Sequence, residues 1–328
     1  MADLVCVGLS TLDLVYRVAA APGSDDKVVA TSQELAAGGP AAGAAVTAAA
    51  LGAAPTLVTS LGRHPLARLA GAELAERGVT VVDSTPDRTE PPAVSSICVV
   101  EGSGQRSVVS VNAEGVRTTP PATLDGMVAQ AAVVLVDGHL PDLAIAAARA
   151  ARGHGRLVVL DGGSWKPALA DLLPLVDVAA CSAPFRVPGC EPGPESALAL
   201  AGRYGVPAVA VTAGSEPVRW WWTGPGGDQT GAVPVPVVRA RDTLGAGDAF
   251  HGALAVALAA ALGGALGGAE RAEVVGAVSR ISAAGLVSAV DFACRLAAVR
   301  CASTGARAWL ADPRVAALAS ELPAGDQR

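Results

Sequence analysis

The run from Arg241 to Ala259, RDTLGAGDAFHGALAVALA, sets a Gly-Ala-Gly turn directly before a long apolar stretch. Small residues there let the backbone N–H groups of Gly245, Ala246, Gly247 and Asp248 point at one spot, where a helix dipole adds partial positive charge. Such a spot is an anion hole, suited to the charge spread over a transferring phosphoryl group. Asp248 stands at the same helix start, so its carboxylate could take a proton from an acceptor hydroxyl as the phosphoryl arrives. A Gly-rich turn with an N-terminal Asp also simply caps helices. Glycine spacing alone leaves both readings open, but the full DTLGAGD string is much rarer.

A second run, AAGGPAAGAAVTAAALGA from Ala36 to Ala53, places Gly38 and Gly39 before a helix that begins near Pro40, a good first-turn residue. Paired glycines let backbone approach a ligand closely. Taken alone, the segment reads more simply as an Ala-rich helix with a flexible start.

Both turns need a scaffold, and the rest of the chain supplies its pattern. LVCVGL (4–9), PTLVTSLG (55–62), VVLVDG (133–138), RLVVLDG (156–162), VDVAAC (176–181) and PAVAVTAG (207–214) are continuous apolar runs. They read as strands buried on both faces. Helical stretches lie between them, in the 40s to low 50s and at 65–77, 141–153, 167–173 and 194–204. Strand then helix, repeated, predicts an α/β fold with a parallel sheet, whose ligands bind at the carboxyl ends of the strands. Residues 13–37 and 92–112 break the rhythm. They alternate polar and apolar, with a turn at Gly102-Ser103-Gly104, and read as a small separate sheet, a lid, or as ordinary edge hairpins. No linker divides the chain. The tail after Leu322 is polar and is expected to fray.

Composition narrows the class. Of 328 residues 51% are hydrophobic but only 3% aromatic, so the core must be built from small side chains packed closely. A net charge of −6 argues against a nucleic-acid surface, which needs clustered Lys and Arg. The six cysteines are scattered without a CxxC pair, which fits reduced thiols in the cytoplasm. The four histidines show no metal-ligand spacing, so no structural zinc is expected. MADLVCVGLS lacks a basic region before its apolar run and reads as a first strand rather than a signal peptide. Ala249 to Ala269 imitates a membrane span, but its Ala and Gly content predicts a buried core helix and no membrane role.

The two Gly-rich segments, in this order, resemble the ribokinase (PfkB-type) family of carbohydrate kinases, from the first strand to the region near Pro313. The resemblance implies a ribokinase-like, Rossmann-like three-layer sandwich with a mostly parallel central sheet and a small β-sheet lid. It implies one kinase domain over 1–328, with lid segments at about 13–37 and 92–112. ATP with Mg2+ is then the phosphoryl donor, Asp248 the base, and Gly245 to Asp248 the anion hole. Asp13, just after strand one, is expected to hold sugar hydroxyls, the alternative being a solvated strand residue. VTAGSEP (211–217) looks like the nucleotide-side loop, with Thr212 and Gly214 matching, and CASTGARA (301–308) like the adenine-side loop, with Gly305 matching. A monovalent cation such as K+ would take backbone carbonyls of Asp242 and Leu244. A small-molecule sugar is the expected partner, and a homodimer paired through the lid is implied.

Within the family the chain resembles bacterial 6-deoxy-6-sulfofructose kinases. It shares CVG in strand one, Lys27 ahead of the second lid strand, the GGPAA turn at Gly38 to Ala42, and HGALAVALA from His251 to Ala259. Lys27 is one of two lysines. It is either the ammonium that meets an acidic group on the sugar or a solvated charge beside Asp25 and Asp26. The chain also departs from the pattern. Gly43 stands where many relatives place a sugar-binding Asn, and Ser182-Ala183-Pro184-Phe185 replaces the NxxE motif of the Mg2+ network. His139 stands where the sulfofructose enzymes have Arg, and would help an acidic substrate only as pH falls toward 6, where imidazole charges. The expected reaction is phosphoryl transfer to a hydroxyl of a ketose-like sugar or an acidic derivative of one. The alternatives are a nucleoside kinase, which low aromatic content disfavours, and a catalytically silent sugar-binding protein.

Overall fold

The computed structural model describes residues 3–225, 227–265 and 281–322. Seven parallel strands run in the order β5 (Thr80–Asp83), β4 (Ala54–Thr59), β1 (Asp3–Val7), β8 (Val133–Val136), β9 (Leu157–Gly162), β10 (Val178–Ser182) and β11 (Ala208–Ala213). The antiparallel strands β12 (Glu216–Trp222) and β13 (Gln229–Val233) extend the sheet at one edge.

Strand β1 shows why its run is apolar throughout. Leu4 and Cys6 enter one core, and Val5 and Val7 enter the other. The first core holds α1 (Pro40–Ala50), α2 (Pro65–Glu76), α7 (Ala246–Ala265), α8 (Ala283–Ala302) and α9 (Pro313–Glu321). The second holds α3 (Leu124–Gln130), α4 (Pro141–Gly153), α5 (Leu169–Leu172) and α6 (Pro194–Tyr204). The result is the α/β fold that the strand–helix rhythm predicts, in the three-layer sandwich that the resemblance implies. Helix α7 is the apolar stretch that imitates a membrane span. It packs between α1 and α8 in the first core, with Ala253, Leu254 and Leu258 fully buried. Its approach to α1 needs small residues, because a Cβ on Gly252 would lie 2.5 Å from the carbonyl oxygen of Ala44. Residues 266–269 of that stretch, and the tail expected to fray, lie outside the described residues.

The small sheet runs β3 (Ser32–Gly38), β2 (Thr11–Val18), β6 (Ala93–Val100), β7 (Arg106–Ser110). Period-two alternation puts Asp13, Val15 and Arg17 on one face of β2. Val15, Ile97 and Val99 form a separate small core there, against Leu244 of the Gly-rich turn. That contact seats the small sheet on the turn.

The structure differs from the sequence-based expectations in several elements. β5 and β13 are edge strands, and their short, partly polar sequences carry no buried-strand pattern. The stretch 167–173 is one helical turn, Leu169–Leu172, followed by a 3-10 turn at Leu173–Leu175. Pro174, which lacks an N–H and clashes with the preceding turn, stops it.

Candidate active site

The turn before α7 places its backbone as the glycine pattern requires. Gly245 has φ of 72°, a left-handed conformation that a side chain would strain. A Cβ on Gly247 would meet nothing within 4 Å, so that position faces open space. The amide of Ala246 departs from expectation, donating to the Thr243 carbonyl at 3.3 Å. Gly245, Gly247 and Asp248 keep amides with no backbone acceptor among the described residues. The turn therefore offers three amide donors at the positive end of a 20-residue helix, an arrangement that can receive an anion.

Asp248 is half-buried at that helix start. Its carboxyl lies over α1, where a Cβ on Gly43 would come within 2.5 Å of Oδ2. Burial pushes its pKa up to about 7; the charges of Asp161 and Asp13 push the same way, against His251 and Arg307. A carboxylate with a pKa near the working pH has the basicity a general base needs.

Asp13 enters the same cavity from the lid. Its Oδ1 accepts from Thr11 Oγ1 at 2.6 Å, and its carboxyl fills the space beside Gly38 that a side chain would occupy. Burial raises its pKa, against hydrogen bonds from Thr11 and Ser95 and the charge of Arg307. Gly39 takes φ of 90° at the start of α1, with no room for a Cβ against the Leu9 carbonyl. The cavity is lined by Asp13, Gly38, Gly43, Thr47, Gly245, Asp248, Arg300 and Arg307. Sequence reasoning missed both arginines. Arg307 Nε and Nη2 donate to the two oxygens of Glu73 at 2.8 and 3.2 Å, and Nη2 also donates to the Ala37 carbonyl. Burial would raise Glu73, but those bonds and the Arg307 charge outweigh it and hold the carboxyl low.

A second charged cluster lies where β8, β9 and β10 end. Asp137, 1% exposed, accepts from the amides of Leu9 (2.8 Å), Ala41 (3.3 Å) and His139 (2.9 Å). It ties β1, α1 and β8 together, a role its position in VVLVDG did not disclose. His251, one turn beyond Asp248, bridges α7 to the sheet. Its Nδ1 lies 2.7 Å from the Gly247 carbonyl and 3.1 Å from Asp161 Oδ2, and its Nε2 lies 3.0 Å from the Ala180 carbonyl. Lys166, the other lysine, is half-buried beside Asp137 and Asp161, and burial lowers its pKa. His139 sits here rather than among the cavity-lining residues. Burial and the Lys166 charge push it below the ordinary imidazole range, against Asp137 and Asp161. That direction works against the charging expected as pH falls toward 6.

Because Asp161 raises Asp248, the acid limb of kcat/KM should respond to it. Asp161→Asn removes a negative charge, so the Asp248 carboxylate forms more readily and the limb should move to lower pH. Rates measured across the limb for both proteins check this. An unmoved limb would show that Asp161 does not bias the base.

The remaining expected residues lie apart. Thr212 ends β11 opposite Ser182 of β10, and Gly214 (φ 64°) turns the chain into β12; neither lines the cavity with Asp248. Gly305 faces the lid, its amide 3.3 Å from Asp242 Oδ2 and its Cα beside Glu34. Lys27 is exposed on the β2–β3 loop, makes no hydrogen bond or ion pair among the described residues, and is not among the residues lining the cavity. Phe185, at the last position of the replaced NxxE motif, is buried against Trp165. Among the described residues no three His, Cys, Asp or Glu side chains converge as a metal site would need. The residues offered to a monovalent cation do not fit one either. Asp242 is already faced by Arg17 and Arg300.

Residues 1–312 match the pfkB family of carbohydrate kinases. The ribokinase of Arabidopsis thaliana is 27% identical over 266 residues, covering 77% of this chain and 70% of its own length. That of Bacillus subtilis (strain 168) is 25% identical over 260 residues, 78% of this chain and 86% of its own. The fold recurs in the ribokinase of Giardia lamblia, with a TM-score of 0.78 at 19% identity over 98% of this chain and 99% of that one. It recurs in the Arabidopsis ribokinase complexed with ribose and ATP, with a TM-score of 0.72 at 23% identity over 97% and 98% of the two chains. With its Gly-rich helix start and a raised carboxyl sharing one cavity beneath a small sheet, and with residues 1–312 matching the family, this chain belongs to the pfkB family and is an ATP-dependent carbohydrate kinase with the ribokinase-like fold.

Proposed function

We propose that the protein transfers the γ-phosphoryl group of ATP to a hydroxyl of a ketose-like sugar. The observation that carries this reading is Asp248, with its carboxyl raised to about 7, facing the cavity that Asp13 enters from the lid. Asp13 would accept hydrogen bonds from sugar hydroxyls and orient the ring. Asp248 would take the proton of the attacking hydroxyl while the amides of Gly245, Gly247 and Asp248 receive the charge of the moving phosphoryl group. Thr212 and Gly214, at the end of β11, would border the nucleotide. Bound Mg2+ would neutralise triphosphate charge; with no three His, Cys, Asp or Glu side chains converging among the described residues to hold it, it would arrive with ATP.

The charges around the cavity favour a neutral sugar. Arg307 is spent on Glu73 and Arg300 on Asp242, so neither guanidinium is left for a substrate anion. Trp309 is the sole aromatic among the cavity-lining residues, and it is 3% exposed with its indole N–H on the Ala306 carbonyl. It offers no stacking face to a nucleoside base. A second reading, an acidic sugar such as a sulfofructose or a sugar phosphate, rests on the unpaired Lys27 of the lid loop. ADP release with paired neutral and acidic ketoses, and with nucleosides, tests these readings. The neutral ketose should be turned over best, and Lys27→Ala should leave it unchanged. A loss confined to acidic sugars, about ten- to hundred-fold as expected for a charge-assisted contact, would establish the second reading instead. Turnover of nucleosides alone would overturn both.

Leu35 and Val109, 53% and 75% exposed, share the outer face of the lid sheet, which supports a homodimer paired through the lid. The six free cysteines are compatible with the cytoplasm.

A further inference from the structure

The turn that receives the phosphate rests on buried charge. Asp242 is 1% exposed and Arg300 2%. Asp242 Oδ2 accepts from Arg17 Nη2 at 2.5 Å and from the Gly305 amide at 3.3 Å, and Arg300 Nη2 lies 3.7 Å away. Its Oδ1 accepts from the Leu244 amide at 2.9 Å. Arg300 also turns to the backbone. Its Nη1 donates to the carbonyls of Asp242 and Ser303, each at 3.5 Å. Its Nε lies 3.8 Å from where a side chain on Gly245 would begin.

One planar cation, fixed to the end of α8, thus bridges two backbone carbonyls directly beneath the left-handed Gly245. Carbonyl oxygens are the donors that a dehydrated alkali cation would take, and the Asp242 carbonyl is the one offered to such an ion above. Here a guanidinium points at it. Arg17 adds a second fixed positive charge on the same carboxylate, with Glu34 3.9 Å from its Nε. A mobile cation entering this space would face two guanidiniums at low dielectric, where like charges repel strongly. Burial would raise Asp242, yet hydrogen bonds from Arg17 and Leu244 and the charges of both arginines hold it low, so the cluster stays ionised.

We propose that Arg300 is a built-in substitute for a monovalent metal ion, a positioning residue that holds the Asp242–Gly245 turn in its phosphate-receiving shape and frees the kinase from any need for K+. The inference rests on the kinase assignment and on no particular sugar. Being covalently attached, this cation has no binding equilibrium, so its occupancy cannot vary with salt.

Two sets of measurements test it. For the wild type, kcat and melting temperature should be the same in KCl as in tetramethylammonium chloride of equal ionic strength. Activation or stabilisation specific to K+ would overturn the proposal. Arg300→Ala should lose about 10²-fold in kcat, as expected when the turn shifts by around an ångström. Added K+ or guanidinium should restore part of that rate in the variant alone. A loss that neither ion repairs would make Arg300 an ordinary core residue. Should the alanine variant not fold, Arg300→Lys takes its place. It keeps a tethered cation and should stay independent of K+; a requirement for K+ would count against the proposal. The wild-type melting comparison needs no substrate, so it stands even if every sugar tried is refused.

Discussion

Asp248→Asn should turn over sugar about 10²–10⁴-fold more slowly than the wild type, the usual worth of a positioned general base. Asn keeps the size and the helix-start position of Asp248, and the three free amides of the turn are untouched, so ATP affinity should change little. Stability should move the other way. Asp248 goes from an ordinary carboxyl when unfolded, 3.8, to about 7 when folded. The protonated form therefore contributes stability that is fully present below about pH 4 and is lost as pH rises through about 7. Asn stays neutral, so the variant should melt at a higher temperature than the wild type above that pH. A slow but more stable enzyme is what a base held under strain predicts. A variant with normal turnover would remove the mechanism.

Gly43→Ala should cost about 10²-fold in kcat, the scale of a base misplaced by an ångström. The added Cβ would lie 2.5 Å from Asp248 Oδ2 and 2.6 Å from its Cβ, so the carboxyl must swing off its present line. Helix propensity favours the change, since Gly inside a helix is worse than Ala by about 1 kcal/mol. Activity should thus fall without unfolding, as the circular dichroism melt would show. An alanine variant with wild-type kcat would mean that the Asp248 position over Gly43 is not the working one.

What was legible in the sequence was local. Asp248 and the glycines that shape its turn lie within four residues, and the buried strands announced themselves by unbroken apolar runs. Asp13 was reached through the family resemblance, and alternation along β2 is what turns it to the cavity face. Gly43 was visible as a departure, but not what fills its space. The missing pieces are long-range pairings between residues of unremarkable local context. Arg17 and Asp242 are 225 residues apart, Arg307 and Glu73 234, and the Ala306 amide and Glu34 272. No spacing rule connects them. They meet because lid strands, α2 and the loop after α8 converge on one cavity. For the same reason Lys27, conspicuous by rarity, lies out on a loop, while Lys166 reaches the carboxylates at the strand ends.

The pH dependence of kcat/KM, measured as ADP release with the best sugar for the wild type and Asp248→Asn together, tests the role of Asp248 most directly. The wild-type value should fall tenfold per unit below about pH 7, the point to which burial raises Asp248, while the residual rate of the variant stays flat across the same range. A wild-type profile flat through pH 7, or the same acid limb in both proteins, would contradict Asp248 as the base.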